Sequence, residues 1–224
     1  SSSPIWPEFV NGLRAHGYEA DWAELRCNEF GVPQTRKRLV LLASRLGPIQ
    51  APVPDKSRKT VSVRDAIAAL PPISAGQRDV TDRLHISSRL SKTNLQRIKA
   101  STPGGTWRDW PKELRAKCHV RETGGTYPSV YGRMGWDTPS PTITTQCFGY
   151  GNGRFGHPEQ DRAISLREAA VLQSFPVNYR FVADQEATSF ATLGRLIGNA
   201  VPPKLAEAIG HAILTHIDSL REAT

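Results

Sequence analysis

The sequence predicts an α/β protein in which the C-terminal end of a doubly wound sheet is joined to a smaller, loop-rich region of mixed structure. Three features support this fold class. A helical pattern and two strand patterns occupy the first 46 residues, an order in which doubly wound sheets often finish. Glycine and proline are frequent in the middle of the chain, where they favour loops over long helices. Capped helical patterns return near the end.

The first predicted elements are one helix and two strands. The helix spans residues 4–17, with prolines in its first turn and Gly17 after its last apolar position. Loose alternation over residues 18–25 predicts a half-exposed strand, and the apolar run over residues 38–43 predicts a buried one. The polar segment FGVPQTRK separates the two strands.

Capping patterns locate the later helices. Residues 47–59 hold three prolines and no periodicity, so they predict a linker. Serines that can cap a helix precede the segments VRDAIAAL, KTNLQRIKA and LREAAVLQSF; they are Ser62, Ser91 and Ser165. The last helix begins at Pro202 or Pro203 and carries an apolar stripe that must be buried, namely Leu205, Ile209, Ile213 and Ile217. Residues 137–146 predict a further strand, because threonines flank Ile143.

Positive charge is concentrated in the central third of the chain. The 224 residues contain 29 Lys and Arg against 21 Asp and Glu, a net charge of +8. Residues 78–154 alone hold 13 of these cations and 6 of the acids. Arginine outnumbers lysine, and it forms paired hydrogen bonds with phosphate groups and guanine edges. We therefore expect a nucleic acid to bind this stretch, although charge alone is explained equally well by a solvated basic surface.

Missing patterns exclude several classes of function. The chain has no apolar run long enough to span a membrane and no secretory signal, so we expect a cytoplasmic protein without membrane contact. Cys27, Cys118 and Cys147 are expected to be free thiols. No histidine has a partner at metal-ligand spacing, so no metal site is predicted. Phosphate-binding glycine loops and the GxSxG and HExxH motifs are absent.

One polar pattern suggests a binding site. Gln34, Arg36 and Arg38 occupy alternate positions of GVPQTRKRL, so on an extended chain they point to one side, while Thr35 and Lys37 point to the other. An amide and two guanidinium groups on one face can hold an anion or the acceptor atoms of a nucleobase. A polar face on an edge strand is the alternative, and the spacing by itself favours that alternative.

The order of four segments resembles the C-terminal half of the DNA (cytosine-5)-methyltransferases. The segments are FGVPQTRKRLVLLA, a Gly/Pro-rich stretch with PSPTITT, SLREAAVLQSFP, and IGNAVPP before the terminal helix. The resemblance spans essentially the whole chain. It implies the end of an S-adenosylmethionine-dependent methyltransferase sheet over residues 1–46 and a linker with a short helix over 47–77. It further implies a target recognition domain over 78–175 and a return to the catalytic domain over 176–224.

The same resemblance implies roles for individual residues. Arg36 and Arg38 would line a catalytic pocket for a flipped cytosine, with Gln34 bracing them and Arg38 contacting the base O2. The cofactor S-adenosylmethionine would meet the IGNAVPP turn through Asn199, Ala200 and Val201. Double-stranded DNA would meet the recognition domain through Thr144, for which the threonines at 142 and 145 are close rivals. Within the basic stretch, we also expect Arg108, Arg133 and Arg154 to bind DNA. The implied organisers of the recognition domain are Arg167, Glu168 and Gln173.

The sequence also departs from the family. The family's Pro-Cys nucleophile, its Glu-Asn-Val glutamate and its cofactor-binding glycine loop do not occur in these 224 residues. We therefore expect this chain alone to be inactive and to need an N-terminal half, supplied by a second polypeptide or a missing segment. The favoured interpretation is half of a split methyltransferase of a restriction–modification system, and a fragment of a single-chain enzyme is physically equivalent. A noncatalytic DNA-binding module is an alternative, and a tRNA-directed enzyme is a weaker one.

Overall fold

The structure, a computed structural model, describes residues 4–183 and 188–222. Within these ranges, loops and short 3-10 turns connect six α-helices and two β-strands. The helices are α1 (Ile5–Ala15), α2 (Val63–Ile67), α3 (Lys92–Lys99), α4 (Leu166–Leu172), α5 (Phe190–Asn199) and α6 (Pro203–Glu222), and the strands are β1 (Glu19–Arg26) and β2 (Lys37–Ser44). The predicted first helix and the two strands after it are confirmed as elements. The second strand is not the buried one that its apolar run predicted, because the described sheet has only two strands and Leu39 is 55% exposed.

β1 and β2 form an antiparallel pair in which Arg26 lies opposite Lys37. The 3-10 turn Cys27–Phe30 follows β1, and Gly31 ends it with a φ of 78°, a conformation that favours glycine. α6 packs on this turn around a small apolar cluster, which comprises Leu25, Cys27, Phe30, Val32 and Leu205. The connection between the strands therefore holds α6 close to the segment that carries Gln34 and Arg36.

The largest apolar cluster joins α2, α4 and α5 to the loop-rich middle of the chain. Its most buried members include Ile67, Ile143, Leu166, Leu172 and Ile197. Residues from the segments 47–77, 78–175 and 176–224 thus share one core. A shared core gives no boundary between these segments, so the predicted domain boundaries stay predictions.

The three predicted N-cap serines cap their helices. Ser62 and Ser91 each accept a hydrogen bond from the backbone N–H three residues later. The Ser165 Oγ accepts from the Glu168 N–H at 3.0 Å, and the Ser165 N–H donates to Glu168 Oε2 at 2.6 Å. This reciprocal pair is the capping box that the SLRE pattern predicts.

The strand predicted over residues 137–146 does not form. Ser140 makes only an isolated parallel bridge with Gln34, and the rest of the segment is irregular. Pro139 and Pro141 flank Ser140, and because proline has no N–H to donate, a ladder cannot continue on either side. Two backbone hydrogen bonds of 2.9 Å between Ser140 and the neighbours of Gln34 still join the two segments.

The capping and periodicity patterns of the sequence do not predict α5. Ser189 caps this helix, since its Oγ accepts from the Thr192 N–H at 3.1 Å. Gly194 and Gly198 lie inside it, and glycine weakens a helical pattern because it favours the unfolded chain. The two glycines therefore weaken the helical pattern in the sequence, and tertiary packing stabilises the helix.

α6 begins at Pro203, as predicted, but its apolar stripe is only partly buried. Leu205 is fully buried, whereas Ile213 is 39% exposed. In the second half of the helix the buried side chain is instead His216, whose Nε2 lies 2.7 Å from Ser44 Oγ. No helix in the described ranges is both long and apolar enough to cross a membrane.

Candidate functional site

Gln34 and Arg36 are buried, whereas Thr35 and Lys37, which alternate with them, are exposed. This alternation agrees with the prediction for an extended segment. Arg38 differs, because its side chain is exposed and its Nη1 donates to the Lys37 carbonyl at 2.7 Å. The predicted group is therefore divided, with two side chains inside the protein and Arg38 at its surface.

Arg36 is a buried cation that the described residues supply with carbonyl partners. Its Nη1 donates to the Ile143 carbonyl at 2.9 Å and to the Gly198 carbonyl at 3.3 Å. Its Nε is buried and has no hydrogen-bond partner within residues 4–183 and 188–222. Burial and the nearby charge of Arg38 lower the pKa of Arg36 from its ordinary value. Since an unpaired buried N–H is costly, Arg36 is a candidate for binding a further group.

Gln34 and Gln173 form a fully buried pair of amides. The Gln34 Nε2 donates to Gln173 Oε1 at 2.6 Å and to the Leu172 carbonyl at 3.2 Å. The Gln34 Oε1 accepts from the Ile143 N–H at 3.1 Å, and the Gln173 Nε2 donates to the Ile197 carbonyl at 2.7 Å. Together with Arg36, the pair binds both the N–H and the carbonyl of Ile143.

Two glycines allow α5 to approach the segment that contains Thr144. A Cβ atom on Gly198 would overlap the peptide bond between Thr144 and Thr145. A Cβ atom on Gly194, one turn earlier on the same face, would overlap the Phe148 ring. Thr144 itself is exposed, so its side chain points away from this contact and is accessible.

The predicted cofactor residues form the turn between α5 and α6. Asn199 is the last residue of α5 and is exposed, Ala200 is half-buried and Val201 is 58% exposed. Within the described part of the chain, neither the Asn199 side chain nor the Val201 N–H makes a hydrogen bond. An accessible amide and a free backbone N–H suit an amino acid moiety with its carboxylate and amine. This donor set therefore fits the methionyl end of S-adenosylmethionine.

The three arginines predicted to bind DNA lie in different environments. Arg108 is exposed, and its guanidinium lies 5.5 Å from the Trp107 ring centre while its Nη2 donates to the Gly125 carbonyl at 2.9 Å. Arg154 is half-buried, and burial lowers its pKa. Arg133 is 5% exposed, and all three of its nitrogens donate to protein acceptors, including the Asp161 carboxylate. This position corrects the prediction for Arg133, whose hydrogen bonds serve the folded loops.

A buried network surrounds the N-terminus of α4. Arg162 and Glu168 are buried and form two parallel hydrogen bonds of 2.7 Å. Burial by itself raises the pKa of Glu168, but the hydrogen bonds and charge of Arg162 lower it overall. Arg167 makes a similar two-point contact with Asp82, and its Nη1 donates to the Tyr179 carbonyl at 2.9 Å. These contacts fit the implied role of α4 as an organiser of the loops around it.

His157 completes the network. Its Nδ1 accepts from the backbone N–H groups of Glu159 and Gln160 at 3.1 and 2.9 Å, so the ring proton lies on Nε2. The Nε2 faces Glu168 Oε1 at 3.7 Å. Burial lowers the pKa of His157 to about 4, although the Glu168 carboxylate opposes this shift. The neutral imidazole is therefore a structural acceptor.

Two of the three cysteines are poorly suited to act as nucleophiles. Cys27 and Cys147 are buried, and burial raises the pKa of both thiols, that of Cys147 to about 12. Cys118 is exposed in the loop-rich middle of the chain. A thiol with a raised pKa carries little thiolate at neutral pH and reacts slowly. In the described ranges, no group of three or more His, Cys, Asp and Glu side chains could hold a metal ion.

Sequence patterns missed the residues that assemble this site. Gly194, Gly198 and Arg162 had no assigned role, although their contacts hold α5 and α4 against the recognition segment. The spacing of Gly194 and Gly198 by four residues is the one local pattern that could have indicated a close helix contact. The partners of both glycines lie about fifty residues earlier in the chain, so no local pattern identifies them.

Comparisons with known proteins identify the family of this chain. The model of the C-5 cytosine-specific DNA methylase family matches residues 2–215. The chain is 49% identical over 219 residues to the type II methylase M.HgiDII of Herpetosiphon aurantiacus, covering 97% of this chain and 62% of that protein. It is 34% identical to the type II methyltransferase M1.BsuMI of Bacillus subtilis (strain 168), covering 91% of this chain and 46% of that protein. The chain thus spans about half to three fifths of these relatives.

Solved structures support the α/β methyltransferase fold. An Escherichia coli prophage protein described as a DNA modification methyltransferase superposes with a TM-score of 0.64 at 21% identity, covering 96% of this chain and 65% of that one. The Entamoeba histolytica methyltransferase EhMeth gives a TM-score of 0.54 at 12% identity, covering 96% and 59%. The family match over residues 2–215 decides the identity: the chain belongs to the C-5 cytosine-specific DNA methylase family.

Proposed function

We propose that this chain takes part in the transfer of a methyl group from S-adenosylmethionine to C5 of a cytosine in duplex DNA. It would contribute the arginines of the base pocket, the target recognition domain and the turn that closes over the cofactor. One observation carries the proposal. The Arg36 guanidinium contacts the Ile143 carbonyl, next to the predicted DNA-reading Thr144, and the Gly198 carbonyl, next to the predicted cofactor residue Asn199.

The two arginines have complementary roles in this proposal. Methylation at C5 requires the cytosine to leave the base stack, because C5 and C6 are otherwise inaccessible to an attacking group. The exposed Arg38 is free to donate to the base O2, where negative charge develops when C6 is attacked. The buried Arg36 would hold the two segments beside the base through the Ile143 and Gly198 carbonyls. Its Nε, which has no partner among the described residues, offers one further hydrogen bond.

The α5–α6 turn would bind the cofactor. The Asn199 amide and the Val201 N–H would hold the carboxylate and amine of the methionyl end. When bound, S-adenosylmethionine supplies the methyl group on its sulfonium. The chain's own contribution is to orient this end beside the arginines, since α5 lies directly against the recognition segment.

Duplex DNA would bind along the basic stretch 78–154, with Arg108 and Arg154 near phosphates or base edges and Thr144 near the flipped base. Arg133 is not expected to contact DNA, because its nitrogens donate their hydrogen bonds to acceptors inside the protein. The type II methylases among the relatives support a role in a restriction–modification system.

The nucleophile would come from outside these 224 residues. None of the three cysteines follows a proline, and burial raises the pKa of the thiols of Cys27 and Cys147. In M.HgiDII the matching region is part of one longer polypeptide, so that relative does not favour a split enzyme. The same unreactive thiols also favour the second candidate, a DNA-binding module of the same family without catalysis.

Purification of the polypeptide from its native source separates these possibilities. The eluate is assayed for methyl transfer from S-adenosylmethionine to duplex DNA, and its polypeptides are identified by mass spectrometry. We expect methyl transfer from material that contains a Pro-Cys nucleophile, on the same polypeptide or on a stoichiometric companion, and none from the 224 residues alone. DNA binding by native material without methyl transfer would instead establish the noncatalytic module.

A further inference from the structure

We propose that Gln34 and Gln173 are positioning residues that couple the DNA-recognition segment to the α5–α6 turn. DNA bound at the exposed Thr144 would order the turn at Asn199, and an ordered turn would in return favour DNA binding. This inference rests on the proposed function, because that function places DNA at one end of the coupled path and the cofactor at the other.

A continuous buried path of hydrogen bonds carries the proposal. It runs from the Ile143 N–H to Gln34 Oε1, from Gln34 Nε2 to Gln173 Oε1, and from Gln173 Nε2 to the Ile197 carbonyl. The three donor–acceptor distances are 3.1, 2.6 and 2.7 Å. Both glutamines are fully buried, so water cannot replace a broken link. A movement at either end is therefore opposed at the other.

The two ends of this path lie next to the two predicted binding elements. Ile143 precedes Thr144, and Ile197 is two residues before Asn199. A steric contact joins the same two elements, because Gly198 lies against the peptide bond that follows Thr144. Arg36 makes a second connection between the same elements, but its bond to the Gly198 carbonyl is longer, at 3.3 Å. The glutamine pair thus makes the shorter hydrogen bond to the end of α5, at 2.7 Å, whereas Arg36 makes the shorter one to Ile143, at 2.9 Å against 3.1 Å.

The structure also offers a way to separate coupling from folding. Methionine has nearly the same shape as glutamine and fills its site without hydrogen bonds. In Gln173→Met, the Ile197 carbonyl keeps the Ala200 N–H at 3.3 Å, and Gln34 keeps its bonds to Leu172 and Ile143. Most polar groups on the path therefore stay paired, so the variant removes the link with a limited loss of stability.

Amide hydrogen exchange of the full native protein, with and without a mixed-sequence DNA duplex at low salt, tests the coupling. In the wild-type chain, we expect DNA to slow exchange in residues 142–147 and also to slow exchange at residues 199–201 by about tenfold, a typical coupling strength. In Gln173→Met, the protection of residues 142–147 persists, while that of the turn falls below about threefold. The matched control Gln50→Met, at an exposed linker glutamine, keeps the wild-type response.

The outcomes distinguish this inference from the function on which it rests. Failure of DNA to protect residues 142–147 would overturn the proposed function and the coupling with it. Protection of residues 142–147 without any change at the turn would overturn the coupling alone, and so would an unchanged response of the turn in Gln173→Met. If Gln173→Met does not fold, Gln34→Met interrupts the path at its other member, and the wild-type response by itself still decides whether the ends are coupled.

Discussion

Gly198 lies against the peptide bond between Thr144 and Thr145 so closely that a single added methyl group would overlap it. This contact joins the end of α5 to the segment with which we expect the protein to read DNA. The fit depends on two backbones that meet without an intervening side chain. It is thus sensitive to the smallest possible substitution.

Replacement of this glycine should therefore destabilise the protein. Gly198→Ala is expected to lower the free energy of unfolding by about 1–3 kcal/mol, because the backbone of α5 must move away from Thr144. Gly210→Ala is the matched control, since Gly210 lies in α6 with nothing within 4 Å of an added Cβ. It should raise the free energy of unfolding by about 0.5–1 kcal/mol. Urea unfolding followed by circular dichroism measures both, and effects of the same sign would contradict the close contact.

The buried pair Arg162–Glu168 should be costly to break on one side only. Arg162→Met leaves the Glu168 carboxylate buried without its cation and is expected to cost about 3–5 kcal/mol in free energy of unfolding. Arg162→Met combined with Glu168→Met should recover a large part of this loss, because no lone charge is left. Lys37→Met breaks the exposed pair with Glu24 and should change little. A double variant no more stable than the single one would show that the hydrogen bonds of Glu168 to the α4 cap dominate.

His157 should make the stability of the protein depend on pH. Its pKa in the folded chain is about 4, below its ordinary value, so the unfolded chain takes up a proton at a pH where the folded chain does not. The neutral ring thus makes its full contribution to the free energy of unfolding above about pH 7. This contribution decreases by about 2 kcal/mol between pH 6.5 and 4.5. In His157→Asn the total decrease over this range should be smaller by about 2 kcal/mol, and the remainder comes from other groups with a lowered pKa, such as Glu168. Urea midpoints measured across the range test the prediction, and an equal slope in both proteins would exclude His157 as the cause.

DNA binding should weaken steeply with salt. Several arginines in residues 78–154 would release counterions from phosphates, so the logarithm of the affinity should fall linearly with the logarithm of salt concentration. Arg108→Gln is expected to reduce the magnitude of this slope by about 1. Arg14→Gln, at an exposed arginine of α1, should leave the slope unchanged. Fluorescence anisotropy with a labelled duplex measures the slope, and a salt-independent affinity would contradict the location of DNA on this stretch.

Local patterns predicted the parts of the fold that depend on local interactions. The N-cap serine at 165 and the alternation of Gln34 with Thr35 follow from neighbouring residues, and the structure confirms both. The strand at 137–146 was wrong, because Pro139 and Pro141 outweigh the strand preference of Ile143 and its threonines.

Long-range contacts explain what the sequence could not predict. Arg133 carries the positive charge expected of a DNA ligand, but it is buried by loops that begin more than thirty residues earlier in the chain. The Gln34–Gln173 pair likewise joins residues 139 positions apart, so no local pattern relates them. The resemblance to a family implied roles for the segments, whereas the contacts between them required the structure.

The most direct test of the proposed function compares substitutions of two adjacent surface residues in the native protein, assayed for the methyl transfer that we propose. Arg38→Ala should lower kcat for methyl transfer by about 100-fold to 1000-fold, the usual cost of losing a group that stabilises developing negative charge. Its Kd for duplex DNA should stay within about threefold of wild type. Lys37→Ala, on the opposite face of the same segment, should change neither value substantially. Equal losses of rate and DNA affinity in Arg38→Ala would make Arg38 a phosphate contact and contradict the cytosine pocket.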